Sequence, residues 1–392
     1  MKKMLILGGS HAEIPIIQVA KELGYFVITT GNKETDIGHK FSDKYIKEDY
    51  SNKEAMLNLV KNLKIDEICP GSNDFAALSA SYISDKLNIG NFDNYKVSQI
   101  IHNKDLFKKF ANENNIPIPK AKGFSNFNSA INEIKNFKFP IIIKPVDLSG
   151  GKGVTKIDKF NIKEIKKSLE EAFNKSKAKR IIIEEFIEGT NHGFTAIIKN
   201  KKIIFYFCDD EYYYKNKYLV AGASTSLTIN RKITRQLITN IEKIAKLLNL
   251  KDGIIHTQFI LKNDEIYIIE VCRRIPGDLY LELVEYATDI NYAELILKSF
   301  IGKKINNPVN KNNNLITRHC LMTNKNGILA DIIFDKTIKK NIIKKFIWGK
   351  KGDIINDYLT YKAGIVFLKY KTKEEMKEKI NIIYDLIKLK VK

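Results

Sequence analysis

FPIIIKPVDLSGGKGVTKI, residues 139–157, is the stretch on which the reading of this chain turns. An apolar run ends in Lys144, and Pro145 stops the strand from continuing. A lysine so placed is held rigidly, with its ammonium at the edge of a sheet. The residues that follow, Ser149-Gly150-Gly151-Lys152-Gly153, let backbone N–H groups approach a phosphate without an obstructing Cβ. The segment is no Walker loop, because G-x-x-x-x-G-K-[ST] is absent. Taken alone it is equally an ordinary turn. Its place between two strands, rather than between strand and helix, predicts a flexible flap over a triphosphate.

Upstream, short apolar runs alternate with helical patterns. A strand at 2–7 precedes a helix over 12–24, a strand at 25–29, a helix near 52–63, a strand ending in EICPGS and a helix over 73–86. That alternation implies βαβ units and a parallel sheet, so residues 1–95 read as a small doubly wound domain. The turn LGGSHAE (7–13) is not G-x-G-x-x-G, which leaves a nicotinamide reading weak. A helix from Lys104 to Asn115 then leads into NIPIPKAKGF, whose prolines mark an extended linker, and a further helix is expected near 125–137. Downstream come the strand RIIIEEF, paired strands around 193–207, an amphipathic helix over 231–250 and the strands GIIHTQFIL and EIYIIEV. NNPVNKNNN (306–314) reads as a boundary, and 315–392 as a mixed tail with a final helix at 373–388.

The chain has 392 residues, 44% of them hydrophobic, and carries a net charge of +21. That size implies two or three domains. No apolar run reaches the roughly 18 residues of a membrane span. The lysines are dispersed at helical spacing, as on solvated helix faces, so no nucleic-acid partner is expected and phosphate-bearing small ligands are favoured. Cys69, Cys208, Cys272 and Cys320 show no CxxC spacing, which fits a reducing cytoplasm and neither a zinc site nor a disulfide framework.

Two further constellations stand out. In IIIEEFIEG (181–189) Glu184 and Glu185 close an apolar strand, where carboxylates and backbone can meet an adenine edge or a ribose; an exposed acidic loop reads the same way. Gln258 and Glu270 lie on two strands joined by a turn at LKNDEI. If those strands pair antiparallel, the two side chains share a face, and oxygen donors completed by phosphate suit Mg²⁺. Arg274 would then reach a phosphoryl group or a carboxylate bidentately; a structural Arg–Glu pair is the simpler local alternative.

In this order (Lys104, Lys144-Pro145, SGGKG, EEFIEG, then Q…E-x-x-x-R) the motifs closely resemble the ATP-grasp superfamily, over almost the whole chain. The ending E-x-x-x-R-x-x-G-D, Glu270 to Asp278, most resembles L-amino-acid-ligase-like and carbamoyl-phosphate-synthase-like members. The resemblance implies a mixed α/β and α+β fold: a Rossmann-like preATP-grasp domain (1–95), an ATP-grasp domain (96–305, with a flexible nucleotide subdomain at about 120–190) and a small C-terminal α/β lobe (306–392). It implies an ATP-dependent carboxylate–amine ligase working through an acyl phosphate. Its cofactors would be ATP and two Mg²⁺, exchangeable for Mn²⁺, its partners a small carboxylate and an amine, with room for a homodimer.

By motif, Lys104 and Lys144 would hold phosphates, with Ser149, Gly150, Gly151 and Gly153 in the flap. Glu184 would meet adenine by side chain, Glu185 and Ile187 by backbone. Asn191, His192 or Glu188 would serve the ribose, Gln258 and Glu270 the metal. Lys144 and Arg274 are the candidate catalytic residues. His192 and His256 read as structural or as substrate contacts. Departures are Cys272, where many relatives have Asn, and Gln258 in place of the usual acid. They keep a nucleotide-binding protein without turnover in view, besides an NAD-linked oxidoreductase and a basic nucleic-acid-binding protein. Selectivity would lie in CDDEYYYKNKYLVAGAST (208–225), whose tyrosines either contact ligand or pack. Arg273 receives no role.

Overall fold

The structure, a computed structural model, describes residues 1–148, 150–309 and 312–392. It opens with four parallel strands, β1 (Lys3–Leu7), β2 (Phe26–Gly31), β3 (Lys44–Lys47) and β4 (Glu67–Pro70), in the order β3-β2-β1-β4. β1 reads as continuously apolar because helices cover both its faces. The turn after it is closed by a capping box between Ser10 and Glu13. Residues 11–13 are therefore a tight turn, and helix α1 starts at Ile14 rather than at 12 (Ile14–Glu22). Helices α2 (Lys53–Leu63) and α3 (Asp74–Leu87) are N-capped by Asn52 and Asn73. A further helix, α4 (Tyr95–His102), was not expected; it leads directly to α5 (Lys104–Glu113).

Next comes an antiparallel sheet of β5 (Ala121–Phe124), β6 (Ile141–Pro145), β7 (Thr155–Ile157) and β8 (Ile181–Glu185), in the order β5-β8-β6-β7. Helices α6 (Phe127–Glu133) and α7 (Ile162–Lys175) pack on it through Ala130, Ile165, Leu169 and Ala172. β6 pairs antiparallel with β7, Ile141 opposite Ile157, so the Gly-rich segment does join two strands. Ser149 lies outside the described residues.

The remaining chain builds an eight-stranded sheet. β9 (Thr190–Lys199) and β10 (Lys202–Tyr213) form a hairpin whose turn residues, Asn200 and Lys201, both have positive φ. β11 (Val220–Thr225), α8 (Arg231–Leu247), β12 (Gly253–Lys262), β13 (Glu265–Cys272), α9 (Tyr280–Thr288), α10 (Tyr292–Phe300) and β14 (Leu315–Leu321) follow. After β15 (Gly327–Phe334), β16 (Ile342–Ile347) and β17 (Ile354–Ile355), β18 (Gly364–Tyr370) completes the sheet, in the order β13-β12-β9-β10-β11-β14-β18-β16. The tail is thus joined to the central region by the β11–β14 pairing. One core, including Ile17, Leu283, Val284 and Phe367, spans the first sheet's helix, α9 and the tail.

The final helix expected at 373–388 breaks at Asn381, and a short helical turn leads into β19 (Ile387–Val391), which pairs with β15. Ile387 and Val391 are buried there with exposed lysines between them, and that strand-like alternation prevails over helical propensity.

Candidate active site

A cleft of about 580 Å³ lies between the β6–β8 sheet and the β12–β13 hairpin. Its lining is set by a defect in that hairpin. Asn263 and Asp264, both at positive φ, make a two-residue turn, and from Lys262↔Glu265 to Phe259↔Ile268 the register is that of a simple hairpin. Carried further, it would place Ile269 opposite Gln258 and turn Glu270 to the other face. A bulge instead puts Glu270 opposite Gln258, leaving Ile269 as the extra residue. Ile269, Glu270 and Gln258 all line the cleft. The two oxygen donors do share a face, by means of the bulge.

Lys144, last but one in β6, reaches the cleft from the opposite wall, and its Nζ donates to Glu184 Oε2 at 2.8 Å. Lys104, at the start of α5, donates to the Leu148 carbonyl at 2.8 Å and stands 3.6 Å from Glu270 Oε2. Sequence reasoning missed a third ammonium. Lys108, one helical turn after Lys104, is 1% exposed, donates to the Ile268 carbonyl at 2.8 Å and lies 3.6 Å from Glu184 Oε1. Burial pulls its pKa down to about 8 although Glu184 favours the charge. Burial alone would raise the Glu184 carboxyl, yet Lys108 and Lys144 together hold it below its ordinary value. Glu184 Oε1 is buried and accepts no hydrogen bond, an acceptor suited to an amino group.

Gly150 and Gly151 line the cleft at φ +68° and +73°. A Cβ on Gly151 would sit 2.7 Å from the Tyr218 carbonyl oxygen. The flap therefore closes against the 216–219 turn, whose Lys217 and Tyr218 also line the cleft. Gly153 packs on Pro145 and Lys175 instead. Glu185, Ile187 and Asn191 are lining residues; Glu185 sends its carboxylate outward to the Lys138 N–H at 2.9 Å. Strand alternation turns His192 away from Asn191. His192 is buried between Thr190 (2.6 Å) and Asp210 (2.9 Å) and does not line this cleft. Of the four tyrosines in 208–225, Tyr213 and Tyr218 line the cleft, Tyr212 bonds Ser224 and Tyr214 stacks on Tyr384 at 3.6 Å.

Arg274 is not among the lining residues. Asp74, at the start of α3, holds it through Nε at 2.8 Å and also accepts from His102. Burial would raise the Asp74 carboxyl, but Arg274 and His102 hold it well below the ordinary range. Arg273 is a structural clamp, donating to Asp93 at 2.8 Å, to Lys251 O at 2.6 Å and to Ile254 O. The Cys272 thiol is buried and pushed up to about 12 by that burial, so it offers no thiolate. His256 is held neutral, its pKa lowered to about 3 by burial and then by Arg274 and Arg318.

Among the described residues no group of three or more His, Cys, Asp or Glu is placed to hold a metal. Glu270 and the Gln258 amide are hard oxygen donors on one wall of the cleft, and a cation bound there would draw its remaining ligands from phosphate and water. That donor set fits Mg²⁺. No helix among the described residues is long and apolar enough to cross a membrane.

Residues 101–278 match the family described as the ATP-grasp domain. The chain is 24% identical over 323 residues to the carbamoyl phosphate synthase large chain of Clostridium beijerinckii, covering 78% of this chain and 29% of that protein. It is 26% identical over 313 residues to the formate-dependent phosphoribosylglycinamide formyltransferase of Prochlorococcus marinus, covering 78% of each. The chain thus spans less than a third of the first relative's length and over three quarters of the second's. The L-amino acid ligase of Bacillus licheniformis has a similar fold, with a TM-score of 0.82, 16% identity and coverage of 100% of this chain and 99% of that one. The cleft and its lysines lie within residues 101–278, the segment that matches the ATP-grasp domain.

Proposed function

We propose that the chain is an ATP-dependent carboxylate–amine ligase acting on a small metabolite, amino acid or sugar acid. The observation that carries this reading is the convergence of Lys104, Lys144, Glu184, Gln258 and Glu270 on one cleft roofed by Gly150 and Gly151. Attack of a carboxylate on a γ-phosphate brings anions together, so fixed cations must stand ready. Lys104 and Lys144 supply them without reorganisation. Glu184, Glu185 and Ile187 would hold adenine, and Asn191 the ribose. Glu270 and Gln258 would hold Mg²⁺, which when bound neutralises phosphate charge; two such ions, exchangeable for Mn²⁺, fit the charge to be balanced. The substrate carboxylate oxygen bonds the γ-phosphorus as the bond to the bridging oxygen breaks and ADP leaves. An amine then attacks the acyl carbon, phosphate departs with the electron pair, and the amine proton passes to water. No histidine serves as base, since His192 and His256 are buried away from this cleft. Arg274 would bind anion only on leaving Asp74, which makes its catalytic part secondary to Lys144.

We further assign 1–95 to a leading domain, 96–305 to the ATP-grasp body and 306–392 to a lobe that shares its sheet. The test is a phosphate-release screen over a matrix of carboxylates and amines, sugar acids included. A productive pair should release phosphate with wild type, and Lys144→Ala and Glu270→Ala should abolish release while the fold persists. Undiminished turnover in either variant would refute the assignment. Tight nucleotide binding without turnover on any pair would favour a binding protein instead.

A further inference from the structure

Across the sheet from Gln258 stands a carboxylate that no motif singles out. Glu211, on β10, accepts from Gln258 Nε2 at 2.6 Å through Oε1, and from the Tyr213 hydroxyl at 2.8 Å through Oε2. The two residues belong to strands separated by β9. They meet because β9 carries Gly193 there, opposite Gln258 on one side and Asp209 on the other. A Cβ at Gly193 would collide with the Asp209 carboxylate, so the small residue keeps a trough open across the strand.

The branch of the Gln258 amide that faces Glu211 is thus the NH₂, and the carbonyl oxygen is left for the cleft. The Tyr213 hydroxyl occupies the other carboxylate oxygen and resists rotation of the group. Gln258 lines the cleft beside Glu270, whereas Glu211 does not. An amide in place of an acid has two nearly isosteric faces, one of which would repel a cation. Something must choose between them.

We propose that Glu211 is a positioning residue that turns the Gln258 carbonyl oxygen toward the divalent cation of the nucleotide site. The inference rests on the ligase reading above, and it accounts for how a neutral residue serves there: a partner outside the cleft fixes which face of its amide the cation meets. Partners of this kind around metal ligands typically change metal affinity by about 10–100-fold when removed.

The test uses the full chain, a non-hydrolysable ATP analogue and Mn²⁺, with free Mn²⁺ read by electron paramagnetic resonance. Wild type should bind Mn²⁺ in the presence of the analogue; absence of that binding overturns the site assignment and this inference together. Glu211→Gln should weaken Mn²⁺ binding by about 10-fold or more and leave analogue binding in EDTA unchanged. Gln258→Glu alone sets two carboxylates against each other and should also bind Mn²⁺ poorly. The double variant Gln258→Glu/Glu211→Gln restores an amide–carboxylate pair and should recover wild-type affinity, a recovery that a merely structural role would not give. Wild-type Mn²⁺ affinity in Glu211→Gln, or no recovery in the double variant, overturns the positioning role while leaving the nucleotide site intact. Should Glu211→Gln fail to fold, the comparison of Gln258→Glu with the double variant decides.

Discussion

Lys108→Met isolates the energetics of the buried charge beneath the cleft. In the folded chain Lys108 titrates at about 8, against an ordinary 10.5. Below the lower value both states hold the proton, and folding bears the whole cost of burying the charge, about 3 kcal/mol for this shift. Between the two values the unfolded chain binds more protons than the folded one, so stability rises with pH. Integrated from pH 7.5 to 10, the contribution of this one group is about 2 kcal/mol.

Methionine removes the charge with little change in volume. Two losses oppose the gain near neutrality: the Ile268 carbonyl loses its donor, and Glu184 keeps Lys144 alone as a partner. The net change at pH 7.5 is therefore small, whereas the pH dependence is diagnostic. Urea unfolding followed by circular dichroism at both pH values should show wild type gaining about 2 kcal/mol relative to Lys108→Met on going alkaline. Taking the difference cancels the contributions of ionisable groups remote from position 108. Parallel pH profiles for the two proteins would refute a buried, charge-penalised Lys108.

Gly151→Ala adds a methyl group at positive φ against the Tyr218 backbone. It should cost about 1–2 kcal/mol locally and, by parting the flap from the 216–219 turn, raise the KM for ATP by about 10-fold; an unchanged KM would show that the two loops do not close together. Arg273→Met strips a buried partner from Asp93 and should lower stability by about 3–5 kcal/mol, measured by denaturant unfolding, while nucleotide affinity of the folded protein at low temperature is retained. Loss of nucleotide affinity there would place Arg273 in the site rather than in the scaffold.

The alternation of short apolar runs with helical patterns determined the parallel sheet at the front of the chain, and Lys144-Pro145 before the glycines determined a flap between two strands. Both are local: strand termination by proline and backbone access at glycine depend on neighbouring residues only. The helix expected at 373–388 failed at its end because β15, over fifty residues away, offers its edge to Ile387–Val391. What Arg273 and Arg274 do was decided entirely by tertiary structure. Their partners, Asp93 and Asp74, stand 180 and 200 residues earlier in the chain, and no local period reports a partner so distant. The same holds for Lys108, which local pattern places on an amphipathic helix and only packing seals against Glu184. Gln258 and Glu270 fall between these cases. Their residue types and strands were legible in the sequence, but a plain two-residue hairpin would have turned them to opposite faces. The bulge at Ile269 aligned them, because one extra residue in a strand reverses the face of every side chain beyond it.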